Sequence, residues 1–189
     1  MCNAYRLRQP PSVFIEEFSQ LKLPVVWADG AVPNLEPRDQ IRIRDTAPVV
    51  GRAGDGVQIS MMQWAWLERG RPVFNFRSEG RNFAASDRRL IPADGFYEFT
   101  DPTEPGKKRK DKWLFTLAGE PWFWIAGIAR DGCFTMLTTA PGEDVKPYHD
   151  RQIVVLPRRL GLAWLDLSQP QSDLLRPLPR GALEVCRAD

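Results

Sequence analysis

Between Val25 and about Val73 the chain never sustains an apolar pattern for long, because short apolar runs are repeatedly cut by glycine, proline or aspartate. Helices average about 11–12 residues and need an unbroken 3.6-residue repeat, whereas strands are complete in about 5–6. Such interruption favours short strands. Ala47-Pro48-Val49-Val50 and Val57-Gln58-Ile59-Ser60-Met61-Met62-Gln63-Trp64 read as two strands around an Ala53-Gly54-Asp55-Gly56 turn. Further strands are expected at 89–91, 95–100, 113–117, 122–128, 133–139 and 152–156. One early helix is expected over 12–21. Ser12 is placed to cap it, Phe14, Phe18 and Leu21 recur at helical spacing, and Pro24 prevents continuation. Two short helices are expected near 158–165 and 170–175. The regular strand–helix alternation of a parallel sheet is missing, so the class is α+β with strands predominant.

The 189 residues suit one domain, large enough to bury roughly 70% of its unfolded surface without staples. A net charge of +2 neither demands nor excludes nucleic acid, so only clustering of the basic residues can decide. The three cysteines (Cys2, Cys133, Cys186) form no CxxC, and His149 is the only histidine. That argues against a zinc site or a disulfide framework, and neither metal nor cofactor is expected. The start is not patterned as a signal peptide, and no apolar run approaches the length of a membrane span. A reducing, cytoplasmic setting is expected.

Cys2 directly after Met1 is the most informative position. A small residue in second place permits removal of the initiator Met, which leaves an amine and a thiol on adjacent carbons. Their reference pKa values are about 7.7–8.0 and about 8.5, so both have reactive fractions near neutrality. An aldehyde meeting this pair forms an imine, and the thiol closes it into a five-membered thiazolidine. A terminal cysteine alone would carry little weight.

Three further stretches bear on it. Asn75-Phe76-Arg77-Ser78-Glu79 reads alone as a surface loop leaving a strand. Glu98, inside Leu90-Ile91-Pro92-Ala93-Asp94-Gly95-Phe96-Tyr97-Glu98-Phe99, is either an outward residue of an alternating strand or a buried acid of raised pKa. Pro147-Tyr148-His149-Asp150-Arg151, which follows Thr138-Thr139, puts the histidine in a polar loop. Lys107-Lys108-Arg109-Lys110 is either a solvated hairpin tip or a basic finger near phosphates.

Taken together, Met1-Cys2-Asn3, Asn75 to Glu79, Ile91 to Glu98 and Tyr148-His149-Asp150-Arg151 resemble the SOS response-associated peptidase (SRAP) family over roughly residues 1–167. Residues 168–189 would then be a C-terminal extension of one domain. The resemblance implies a compact fold with a barrel-like, mostly antiparallel β core and a positively charged groove for single-stranded DNA containing abasic sites. It implies that Cys2 crosslinks, Asn75 hydrogen-bonds near the sugar, Glu98 moves protons and His149 assists sugar ring opening. Arg77 and Arg151 would hold flanking phosphates, Trp64 would stack on a base, and Arg81 would line the same groove. The expected activity is covalent capture of abasic sites by a monomer, with AP-lyase action through the imine. An N-terminal-nucleophile cysteine peptidase and a non-catalytic single-strand binder are the alternatives. The chain departs from the family pattern at Asn3-Ala4, at Gln40-Ile41-Arg42-Ile43-Arg44 and at Trp64-Ala65-Trp66-Leu67, which bear on groove shape more than on chemistry.

Overall fold

The computed structural model describes residues 2–30, 32–106 and 108–188; Met1 and Lys107, named above, lie outside them. The interrupted first half becomes strands. β1 (Ala4–Leu7) leads into α1 (Pro11–Gln20), followed by β2 (Val25–Trp27), β3 (Arg38–Arg42), β4 (Thr46–Ala53), β5 (Gly56–Trp64), β6 (Trp66–Glu68), β7 (Arg71–Val73) and β8 (Asn75–Arg77). Next come β9 (Asp87–Ala93), β10 (Gly95–Thr100), β11 (Asp111–Leu117), β12 (Phe123–Arg130), β13 (Cys133–Thr139), β14 (Gln152–Ile153) and β15 (Val155–Leu156). A 3₁₀ turn at Arg158–Leu160, then α2 (Gly161–Asp166), α3 (Gln171–Leu174) and β16 (Leu183–Arg187) complete the described chain.

Strands β13, β12, β9, β4 and β5 are successive neighbours, and β5 returns to β13 through the parallel pairs Gln63–Cys133 and Trp64–Phe134. The remaining contacts of this ring are antiparallel. Closure removes the open edges that an isolated sheet presents. β12 is buried on both faces over most of its length, in part because α1 covers it. Phe14 meets Trp122 and Phe18 meets Trp124, with ring centroids 5.3 Å and 5.6 Å apart. Gly127 is required by close approach, since a Cβ there would stand 2.7 Å from the Thr135 carbonyl oxygen.

A second, antiparallel sheet runs β3-β1-β10-β11-β16. The chain crosses into it at Asp94, between β9 and β10. The buried Asp94 carboxylate accepts from Arg6 Nε and from the Arg8 backbone N–H, while the Asp94 N–H donates to the Arg6 carbonyl at 3.0 Å. This junction fixes β1 on β10 with Tyr5 opposite Phe96, and so sets Cys2 beside Glu98.

Some expectations fail here. Ser12 does not cap α1: Pro10 occupies that place without a side-chain bond, and Pro11 opens the helix, where its fixed φ and missing N–H are harmless. Leu21 is 52% exposed, because the helix has already ended. Lys22 at φ 58 turns the chain, and Lys22 and Leu23 donate to the carbonyls of Ser19 and Phe18. The run 152–156 divides at Val154, so that β14 pairs with β13 and β15 with β12. The stretch expected as an extension supplies β16, an outer strand of the second sheet. Among the described residues, no helix is long and apolar enough to cross a membrane, and no His, Cys, Asp and Glu group is arranged to hold a metal ion.

Candidate functional site

Cys2 lies just before β1 and is 1% exposed. Its thiol donates to the Ala4 carbonyl at 3.2 Å, and its own carbonyl accepts from Asn75 Nδ2 at 2.8 Å. Its backbone N–H donates to the Glu98 carboxylate. Three groups of one residue are thus held by three separate parts of the chain.

Alternation along β10 turns Tyr97 and Phe99 toward Ala4 and Leu114, and Phe96 and Glu98 to the opposite, inner side. Glu98 is 1% exposed, which rules out the outward reading. Burial pushes its pKa up to about 7, the Asp150 carboxylate adds to this, and the Cys2 N–H opposes it. Near neutrality this carboxyl can both give and take a proton. Burial, and then the Glu98 charge, push the Cys2 thiol well above its ordinary range. At neutral pH the group is a thiol and not a thiolate.

Asn75 belongs to β8, whose Asn-Phe-Arg composition reads as loop. Its strand character comes from parallel pairing with β13, Asn75 opposite Met136 and Arg77 opposite Thr138. Asn75 Oδ1 is buried and has no hydrogen-bond partner among the described residues. Arg77, two positions on, shares that face of β8 and is exposed.

His149 ends a tight turn in which its N–H donates to the Val145 carbonyl at 3.0 Å. The Tyr148 ring wedges against Trp113 at 4.9 Å and Phe115 at 5.2 Å, which carries the turn to β11, beside Glu98. Nδ1 lies 3.0 Å from the Arg151 N–H and 2.7 Å from Asp150 Oδ1. The first contact needs a bare Nδ1 and the second a protonated one. Asp150 is 87% exposed and solvated, and burial lowers the His149 pKa. The neutral form with its proton on Nε2 therefore holds at neutral pH.

The other expected residues divide. Arg81 is exposed, its guanidinium 4.5 Å from the centre of the Phe76 ring. Arg151 forks onto both oxygens of Glu79, which it holds below the usual carboxylate range, and donates to Thr138 Oγ1 at 3.0 Å. It ties the end of β8 to the His149 turn. Sequence reading missed Glu79 as its partner, because no local spacing links positions so far apart. Trp64 requires correction. It is 0% exposed, its Nε1–H donates to the Phe74 carbonyl at 2.8 Å, and its ring lies parallel to Phe134 and edge-on to Tyr5. No base can reach it, because the pairing of β5 with β13 faces it into the core. Trp64→Ala is expected to destabilise the fold by about 3–5 kcal/mol. Denaturant unfolding measures this, and a loss under 1 kcal/mol would contradict the burial.

A family model described as SOS response associated peptidase (SRAP) matches residues 1–189. YoqW of Bacillus subtilis, named an abasic site processing protein, is 34% identical over 201 aligned positions, covering 94% of this chain and 86% of YoqW. YoaM of the same organism, with the same descriptive name, is 34% identical over 130 positions; the match takes in 61% of this chain and 57% of YoaM. Crystal structures of a Bacteroides thetaiotaomicron protein and of a phage-related Bordetella bronchiseptica protein each superpose with a TM-score of 0.72. The first is 16% identical and covers 100% of this chain and 92% of its own, the second 22%, 99% and 94%. At such identities the likeness is one of fold.

Proposed function

This chain belongs to the SOS response associated peptidase (SRAP) family, and on that footing we propose that it captures abasic sites in single-stranded DNA as a thiazolidine on Cys2 once Met1 is removed. The observation that carries this reading is the Glu98 carboxyl, titrating near 7, on the backbone nitrogen of Cys2. With Met1 gone, that nitrogen is the α-amine.

The chemistry then runs as follows. The closed sugar opens to its aldehyde as the proton of its anomeric hydroxyl passes to its ring oxygen, and the Nε2–H of neutral His149 hydrogen-bonds that ring oxygen as its C–O bond breaks. The amine adds to the aldehyde carbon, the hydroxyl leaves as water with a proton from Glu98, and the Glu98 carboxylate takes back the nitrogen's proton, giving the imine. The Cys2 sulfur then bonds to the imine carbon, and the thiol proton ends on nitrogen. One water is released overall. The partnerless Asn75 Oδ1 accepts from the nascent ring nitrogen or a sugar hydroxyl, while Asn75 Nδ2 holds the Cys2 carbonyl. A positioned acid or base contributes about 10²–10⁴-fold to such proton transfers. Slow strand cleavage by elimination from the imine is the expected side activity.

One denaturing gel separates the readings. An abasic oligonucleotide should yield a heat-stable complex, while an intact strand and a peptide pool should stay unchanged. Peptide fragments without a complex would establish the peptidase instead.

Arg77 is the phosphate contact on the β8 side. Arg77→Ala should reduce the log–log salt slope of intact-strand binding by about 0.7. An unchanged slope in fluorescence anisotropy would remove it from the groove.

A further inference from the structure

A second cluster of cations lies on the other side of Cys2, where β1 departs. Asn3, Gln40, Arg42, Phe99, Arg109 and Lys112 line a cleft of about 330 Å³ between the β3 edge and the β10–β11 hairpin. Three of its lining side chains are cationic and none is acidic. The three cations are close enough to act on one another, for burial and then the Arg109 and Arg42 charges loosen the hold of Lys112 on its proton. Lys112 is also fixed in place, with Nζ 3.9 Å from the centre of the Tyr97 ring. Arg42 bonds its neighbour Gln40, an uncharged partner. Of the carboxylates around it, Asp39, whose charge acts on Lys112, is engaged by Arg8, and Asp45, which accepts the Arg42 backbone N–H at 2.8 Å, is engaged by Arg38.

The hairpin that presents Arg109 is braced at its base. The buried Asp111 carboxylate accepts from the Thr103 N–H and Oγ1–H, each at 3.0 Å, and from Arg187 of β16, which also reaches Glu104. Gathering like charges around a concave surface that no carboxylate lines is unfavourable, and an anion seated there relieves it. The cleft adjoins Asn3, the residue after Cys2, so an anion in it stands close to the reacting terminus.

We propose that this cleft holds a backbone phosphate of the strand that reacts at Cys2, on the β1 side of the site, with Arg42, Arg109 and Lys112 as donors. The inference rests on the strand-capture reading above. It makes the site two-sided, with Arg77 on the β8 side and this cluster on the β1 side.

The test compares wild type with Arg109→Gln and with Arg109→Gln/Lys112→Gln, Arg109 being exposed and outside the core. On intact oligothymidylate, the single variant should lower the log–log salt slope by about 0.7 and the double by about 1.4. Unchanged slopes overturn the inference. Abasic oligonucleotides extended on only one side of the lesion give the location. The double variant should crosslink more slowly on one of the two and normally on the other, and an equal defect on both overturns the placement. Titration with inorganic phosphate should give no saturable binding that depends on these residues. Such binding with unchanged strand slopes would mark a free-anion site and overturn the proposal. Should wild type fail to crosslink any abasic strand, the capture reading falls, yet the intact-strand slopes still decide the cleft.

Discussion

Cys2→Ala is expected to abolish the stable covalent complex with abasic single strands. Alanine keeps the amine, so an imine can still form and reverse, but nothing closes the ring. Cys2→Ser separates the two stages. Its hydroxyl closes and holds the ring poorly, so the complex should survive denaturation only after borohydride reduction. Intact-strand binding should be unchanged in both, because neither substitution removes a cation. Mass spectrometry of wild type should show Met1 removed. A protein that retains Met1 and still forms the heat-stable complex would end the thiazolidine reading, since a peptide nitrogen cannot form the imine.

Glu98→Gln should slow complex formation by about 10²-fold or more while intact-strand affinity holds. The wild-type rate should bend near pH 7, where the carboxyl titrates, and the bend should vanish in the variant. Stability should move the opposite way. Burial raises this carboxyl from an ordinary value near 4.5 to about 7, so the folded state binds the proton more tightly than the unfolded state. Its stabilising contribution is fully present below about 4.5 and is lost as pH rises through 7. Glutamine does not ionise, so above pH 7 the variant should gain relative to wild type, by up to about 3 kcal/mol. Thermal unfolding at pH 5 and pH 8 reads this directly. A variant that crosslinks at the wild-type rate would reduce Glu98 to a strand residue.

The sequence made legible whatever is written in local periodicity. The β4–β5 hairpin, the apolar β12 and the α1 face bearing Phe14 and Phe18 all announce themselves in consecutive residues. It failed where structure comes from pairing with a distant partner. β8 is polar and three residues long, and it is a strand only because β13 lies beside it. β16 buries little beyond Leu183, as an outer strand does, so its composition resembles a tail. Within the site, Cys2, Asn75, Glu98 and His149 were named from sequence and the fold brings them together. Trp64 was misplaced because its role was taken from the family resemblance, and an aromatic looks the same in sequence whether it faces a base or the core. Only the parallel closure of β5 on β13 decides between them. Arg151 was read only as a phosphate contact, because its Glu79 partner is invisible until β8 and the His149 turn meet.

The enclosure of Cys2 also sets a schedule for the ribosome. Cys2 is made before Asn75 and Glu98, which hold it, by more than seventy residues. At about 5–20 residues per second, β10 is complete only roughly 5–20 s after synthesis begins. Throughout that interval the segment around Cys2 is not yet enclosed, and the proposed removal of Met1 falls within it. Once β1 docks on β10, Cys2 is 1% exposed and that opportunity closes. Purified protein that still carries Met1 should therefore resist methionine aminopeptidase when folded and yield to it in denaturant. Equal trimming of both forms would show that burial imposes no deadline.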